Sequence, residues 1–263
     1  MERLSVPLHM RERSMQRHLT VQQPVPNTQI QQPEQIVCPS CKGAGYLRLD
    51  VPFGHPGFGK PLPCHCRVEQ IKQQKQQQLI TLSGLNSLQR FRHARFETYN
   101  PFLAGVNEAY THALEFANHP TGWLVLIGEY GCGKTHLAVS IAKKQLEAGN
   151  LAIFQVVPRL LDYLRAAFSP HVEQDYDERF QEICDADLLV LDDLGTQNQT
   201  AWANDKLFQL LNYRYNAHTP TVITMNTASW EQMEPRLYSR FQDKHLVQVI
   251  LMNQAHDYRI HGN

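Results

Sequence analysis

The chain has 263 residues, enough for one α/β domain of ordinary size plus a small appendage. Twenty-five Lys and Arg balance twenty-five Asp and Glu, so no strong overall field draws the protein to nucleic acid or to an anionic membrane. No apolar run approaches the roughly 20 residues that cross a bilayer, which excludes a helical membrane protein.

The chain opens on MERLSVPLHMRERSMQRHLT, which is basic but lacks the apolar core and small-residue cleavage site of a secretory signal. Two Glu and the lack of a clear amphipathic face also set it apart from an organellar transit peptide. A cytoplasmic location is the expectation. Residues 1–35 are rich in Gln and Pro without apolar periodicity, and predict a mobile polar tail.

A compact cysteine cluster follows over 36–67. Cys38-Pro-Ser-Cys41-Lys-Gly forms a tight turn that converges two sulfurs, and Cys64-His65-Cys66 closes a Gly- and Pro-rich loop. Four soft ligands in two pairs suit tetrahedral Zn²⁺, with His65 as an alternative ligand because the second pair is CxC rather than CxxC. No thioredoxin-like βαβ pattern surrounds Cys38, so a redox role fits poorly. Cys132 and Cys184 stand apart and read as small packing residues.

Residues 68–94 form a linker. Arg67–Leu82 has good helix formers and almost no apolar stripe, which predicts a solvated helix. From Ser83 to Tyr99, Leu85, Leu88, Phe91 and Phe96 are apolar pegs for docking on the next domain. Asn107–Asn118 is a helix with Ala109, Ala113, Leu114 and Ala117 on one side, and His119-Pro-Thr-Gly122 ends it.

Residues 95–263 carry the principal motif. Trp123–Ile127 is a buried strand, followed by Gly128-Glu129-Tyr130-Gly131-Cys132-Gly133-Lys134-Thr135-His136 and then by a helix with Leu137, Ala138, Ile141 and Ala142 at helical spacing. Every fixed position of GxxxxGK[ST] is filled, and in the strand–loop–helix context that marks a phosphate loop. Its N–H groups and the helix N-terminus address nucleotide phosphates. Lys134 brings a charge to the β- and γ-phosphates, and Thr135 a hydroxyl to Mg²⁺.

Gly149 stops that helix. Leu151–Val157 predicts a strand, and Arg159–Phe168 a helix with Leu160, Leu161, Leu164 and Phe168 buried. Ser169–Glu178 reads as a surface loop. Leu188–Asp193 is an apolar strand ending in two acids, where Asp192 would join the Mg²⁺ shell and Asp193 would orient the attacking water. A Glu is commoner at the second position, so Asp193 points to slow hydrolysis. Trp202–Asn216 is a helix, and Thr221–Met225 a strand tipped by Asn226, which can address the γ-phosphate or satisfy a turn. Glu231–Phe241 is a helix carrying Arg236 and Arg240, and Leu246–Leu251 is a last strand. Five strands alternating with helices predict an α/β fold, a mostly parallel sheet in three layers.

GEYGCGKTHLAVSIA, LLVLDDLG, TVITMNT and PRLYSRFQD, in this order over about residues 95–260, resemble the AAA+ ATPases of the DnaC/DnaI helicase-loader and IstB branch. The resemblance implies ATP and Mg²⁺ as cofactors and slow ATP hydrolysis. It makes Asn226 a γ-phosphate sensor, Arg240 (before Arg236) an arginine finger for a neighbouring subunit, and Arg259 a second sensor. It further implies assembly into an ATP-dependent oligomer on single-stranded DNA, with Lys143, Lys144, Arg159 and Arg165 as candidate contacts. In loaders an N-terminal region, sometimes with zinc, binds a replicative DnaB-type helicase, which here would extend to about residue 82. The alternatives are an IstB-type helper of a transposase and a nucleotide-switched adaptor with negligible turnover.

Overall fold

The computed structural model describes residues 38–55, 58–167, 173–198, 200–252 and 254–255. The predicted tail over 1–35, Phe168 and Arg259 lie outside them.

The cysteine-bearing segment folds around a small hairpin, β1 (Tyr46–Arg48) antiparallel to β2 (Pro61–Pro63), with Tyr46 opposite Pro63. Helix α1 (His65–Leu82) starts within the second cysteine pair and is mostly exposed between the half-buried Cys66 and Arg67 and its C-terminal end, where Leu79 enters the main core. The lead-in then runs as short 3-10 turns. Phe96 is buried in that core, and Leu85, Leu88 and Phe91 pack against it as the sequence predicts.

The central sheet is five-stranded, in the order β4-β5-β6-β3-β7, and all its pairings are parallel. Its strands are β3 (Trp123–Ile127), β4 (Ala152–Val156), β5 (Leu188–Leu194), β6 (Thr221–Met225) and β7 (Val247–Leu251). Both faces are covered, so β3 and β6 are buried at every position rather than at alternate ones. Leu124 and Leu126 of β3 join α2 (Asn107–Asn118) and α3 (Lys134–Glu147) in one core. Trp123, Val125 and Ile127 join α4 (Val157–Ala167), α6 (Ala201–Ala217) and α8 (Pro235–Phe241) in the other. Period-2 alternation along one strand thus feeds two cores and produces the three layers.

Two expectations are corrected. The segment read as a loop to Glu178 is helical from Glu173, as α5 (Glu173–Asp185); it contains no Gly or Pro, and its Ile183 and Cys184 are buried. The single helix expected over Glu231–Phe241 is two, α7 (Thr227–Glu231) and α8. The chain turns at Gln232–Glu234, and Pro235 occupies the first turn of α8, where its missing N–H costs no hydrogen bond.

One packing element was not foreseen. Arg214 of α6 is fully buried and donates to the carbonyls of Cys184, Ala186 and Pro220 and to the Thr221 hydroxyl, tying α5 and α6 to the start of β6. Among the described residues no helix is long and apolar enough to cross a membrane.

Candidate functional site: a phosphate loop joined to a bulged acidic strand

The loop between β3 and α3 turns through left-handed conformations at Gly131 (φ 78°) and Gly133 (φ 97°). Gly133 is doubly constrained, because a Cβ there would lie 2.9 Å from the ring of Tyr99. Lys134 is buried, and its ammonium donates to the carbonyls of Gly128 (2.7 Å) and Glu129 (2.8 Å), with the Cys132 sulfur 3.6 Å away. The charge therefore sits inside the curl of the loop, where phosphate oxygens would compete for it.

Thr135, in the first turn of α3, donates to both carboxylate oxygens of Asp192 at 3.0 and 3.2 Å. The two motifs, 57 residues apart, meet through this contact. An Asp192 carboxylate beside a Thr135 hydroxyl is an all-oxygen donor set of the kind Mg²⁺ prefers. Burial pushes the Asp192 carboxyl up to about 6, against the hydrogen bonds from Thr224 and Thr135 and the charge of Lys134, and Asp193 adds to the rise.

The strand beneath is irregular. On β5 and β6, Leu191 pairs with Ile223 and Leu194 with Met225, so Asp192 and Asp193 together face Thr224 alone. That is a β-bulge, and Asp193 occupies the left-handed region (φ 59°), unusual for a residue with a side chain. On a regular strand the two acids would point to opposite faces; the bulge removes that constraint. Sequence periodicity carried no sign of it.

Asn226 uses both ends of its side chain. Its Oδ1 accepts from Ser229 N at 2.6 Å, capping α7, and its Nδ2 donates to the Tyr130 hydroxyl of the phosphate loop at 3.1 Å. Both readings of this residue thus have a physical counterpart, a turn cap and an approach to the nucleotide loop. His136 turns away from the loop interior: its Nε2 donates to the Arg95 carbonyl at 2.9 Å, with Thr98 Oγ1 3.2 Å away, and burial lowers its pKa. Sequence reading overlooked Tyr99 as a site residue. Its ring stacks on Tyr110 and meets His136 edge-on, and its buried hydroxyl, which has no hydrogen-bond partner among the described residues, lies against Gly133.

Helix α8 holds the arginine pair against α6. The guanidinium carbons of Arg236 and Arg240 each lie 4.6 Å from the ring centre of Phe208, and Arg240 also donates to Asn212 Oδ1 and approaches Tyr215. Arg236 bonds Glu234 and Asp205. Lys143, a candidate DNA contact, is otherwise committed: its ammonium donates to the carbonyls of Phe91, Arg92 and Ala94 and pins the lead-in to α3. Lys144 lies over Phe96 and Arg165 over Trp202, while Arg159 is exposed.

In the N-terminal module the sulfurs of Cys38, Cys41, Cys64 and Cys66 all lie within 4.8 Å of one another. Cys38 and Cys64 are 3.8 Å apart and Cys41 and Cys66 3.4 Å. A tetrahedron with Zn–S bonds of about 2.3 Å has edges of about 3.8 Å, so the cluster fits that ion. Gly45 N donates to Cys41 Sγ at 3.3 Å, the kind of N–H contact that supports a thiolate. The metal-free thiols resist ionising together. The Cys41 N–H brings Cys38 down to about 6, whereas the Cys41 sulfur pushes Cys66 up to about 12. His65 is exposed and flanks the sulfurs of Cys64 (3.5 Å) and Cys38 (3.7 Å) from outside the four-sulfur cluster. Cys132 and Cys184 are buried, as packing residues should be.

Comparison with known proteins agrees with this geometry. The IstB-like ATP binding protein family model matches residues 69–263, which leaves the cysteine module outside it. The uncharacterised protein YdaV of Escherichia coli is 29% identical over 185 residues, covering 68% of this chain and 73% of that one. The replicative helicase loader DnaC of the same organism is 24% identical over 173 residues, covering 65% and 69%. An insertion-sequence IS21 ATP-binding protein of Pseudomonas aeruginosa is 31% identical over 112 residues, but the match spans only 41% of that protein. Among solved structures, the DnaC helicase loader superposes with a TM-score of 0.54 at 23% identity, covering 62% of this chain and 98% of that one, which establishes a shared fold. A family match over most of the length, on a chain with this loop, acidic strand and parallel sheet, places the protein: it belongs to the IstB-like ATP-binding family, which includes the DnaC/DnaI helicase loaders.

Proposed function

We propose that this protein is an ATP-dependent loader of a replicative DnaB-type helicase onto single-stranded DNA. The observation that carries the choice of client is the four-sulfur module, which lies outside the residues matched by the ATP-binding family model. A small four-cysteine hairpin joined by a largely exposed helix suits a docking unit. Its hairpin displays apolar side chains, with Tyr46, Leu47 and Leu62 partly exposed and Phe53 almost fully so. Zinc, held by Cys38, Cys41, Cys64 and Cys66, would fix that hairpin.

In this reading ATP binds the phosphate loop. Lys134 leaves the carbonyls of Gly128 and Glu129 for the phosphates, and Thr135 with Asp192 supports Mg²⁺. Subunits assemble with Arg240 of one facing the nucleotide of the next, and exposed bases such as Arg159 track the DNA. Asp193 orients the attacking water and Asn226 reads the γ-phosphate. Hydrolysis then dissolves the array and releases the helicase. The nucleotide acts as a timer through contacts that differ between its states.

The test is capture of a DnaB-type helicase by the full-length protein with ATP, with ADP and without nucleotide. Capture that is lost in a Cys38→Ser/Cys41→Ser variant still able to bind ATP supports the proposal. A protein that ignores the helicase in every state but binds a transposase supports the second reading, a transposition helper, which the IS21 relative favours.

A further inference from the structure

We propose that Thr224 is a positioning residue that sets both acids of the β5 terminus. This inference rests on the reading of Asp192 and Asp193 as the metal-binding and water-orienting groups. Thr224 sits on β6, two residues before Asn226, and is fully buried. Nothing in the sequence distinguished it from the apolar residues around it.

The hydroxyl makes two bonds of opposite sense. It donates to Asp192 Oδ1 at 2.6 Å and accepts from Asp193 N at 3.0 Å. The bulge explains why a hydroxyl is needed there. Two residues of β5 oppose one of β6, so the ladder has one N–H too many at this point. The Thr224 side chain supplies the missing acceptor. The Asp193 carbonyl is held in turn by the N–H (3.3 Å) and the hydroxyl (2.8 Å) of Thr196. A residue in the left-handed region persists only where its surroundings over-determine it, and Thr224 and Thr196 hold its peptide groups on either side.

The same hydroxyl fixes the Asp192 carboxylate. Thr224 takes Oδ1 while Thr135 spans Oδ1 and Oδ2. Asp192 and Thr135 would hold a divalent cation here, and the Thr224 bond, made from the buried side, keeps the carboxylate oriented for it. Its worth should be that of an outer-shell partner of a metal ligand, about 10–100-fold in metal affinity or turnover.

The test compares Thr224→Val, which keeps the shape and loses both bonds, with Thr224→Ser, which keeps both. Affinity for a fluorescent ATP analogue is titrated with and without Mg²⁺, alongside turnover at saturating ATP. Thr224→Val should bind the analogue as wild type does without Mg²⁺, lose about tenfold or more of the Mg²⁺-dependent gain, and lose turnover with little change in KM. Thr224→Ser should recover both to within a few-fold, which a general packing defect would not allow. Wild-type Mg²⁺ dependence in Thr224→Val overturns the proposal. Lys134→Ala separates the two levels: if it still binds the analogue as tightly as wild type, the nucleotide reading of the loop has failed, whatever Thr224 does.

Discussion

Asn226 Nδ2 donates to the Tyr130 hydroxyl at 3.1 Å, so the tip of β6 and the phosphate loop share a hydrogen bond. One of the two N–H groups on the amide that would read a γ-phosphate is thus engaged by the loop that would carry the phosphate. Tyr130→Phe should release it. A hydrogen bond of this kind is worth about 0.5–1.5 kcal/mol net, so ATP should bind about two- to tenfold tighter relative to ADP. An unchanged ATP-to-ADP ratio in equilibrium titrations would show that the contact plays no part in nucleotide discrimination.

Asn226 also caps α7, which complicates any test of its sensing role. Asn226→Ala removes cap and donor together and should cost about 1 kcal/mol of stability. Asn226→Asp keeps an oxygen for Ser229 N and removes only the donor. That variant should melt close to wild type yet turn over ATP more than about tenfold slower. Turnover at the wild-type rate in Asn226→Asp would remove the residue from the mechanism.

Asp192 makes the nucleotide-free fold sensitive to pH. Its carboxyl is raised to about 6 in the folded chain, chiefly by burial, against about 3.9 in an unfolded one. Between these values the folded state holds more protons, so stability falls as pH rises from about 4 to about 6 and the penalty persists above. Asp192→Asn removes the buried charge and still offers hydrogen-bond partners to Thr224 and Thr135. Its melting midpoint at pH 7.5 should therefore exceed that of wild type, by up to roughly 3 kcal/mol equivalent for a two-unit shift. The gain should vanish near pH 4, and the variant should not gain further stability from Mg²⁺ and ATP. A lower midpoint at pH 7.5 would mean that the carboxylate is already compensated in the free protein.

The cysteine module should hold one zinc per chain. Chelation, or Cys38→Ser with Cys41→Ser, should remove the metal and expose the amides of β1 and β2 to hydrogen exchange. The sheet around β3 should keep its protection, because its core does not draw on the hairpin. Four chelator-releasable thiolates with a 1:1 metal content would support the site. Unchanged exchange in β1 and β2 after complete metal removal would show that the ion does not organise the hairpin.

How much of this was legible depended on whether the signal lay within one segment. Trp123–Ile127, Asn107–Asn118 and Thr221–Met225 have the same bounds in sequence and structure, because apolar runs and Gly or Pro punctuation mark them locally. The convergence of Cys38 and Cys41 with Cys64 and Cys66 was readable because the hairpin between the pairs closes a short loop. The bulge at Asp192 and Asp193 was not readable, since it is a property of register between β5 and β6. For the same reason Thr224 passed as an ordinary strand residue. Lys143 looked like a free surface charge because the three carbonyls that hold it lie about fifty residues away in the chain.

Arg240 poses the question of reach. Within its own subunit it lies over Phe208 beside Arg236 and bonds Asn212, so the guanidinium is held half-buried at the α6–α8 face. Each such stack contributes about 0.5–1 kcal/mol at a surface site, enough to orient the group without locking it. If it completes the site of a neighbour, Arg240→Ala should bind ATP normally and lose on the order of a thousandfold or more in partner-stimulated turnover, within the range arginine fingers supply. Lys134→Ala should fail for the opposite reason, with Arg240 intact and no nucleotide bound. Mixing the two inactive proteins should then restore turnover, because one supplies the nucleotide and the other the arginine. Two inactive variants that stay inactive when mixed, although gel filtration shows them co-assembled, would confine Arg240 to its own subunit and leave α8 as packing against Phe208.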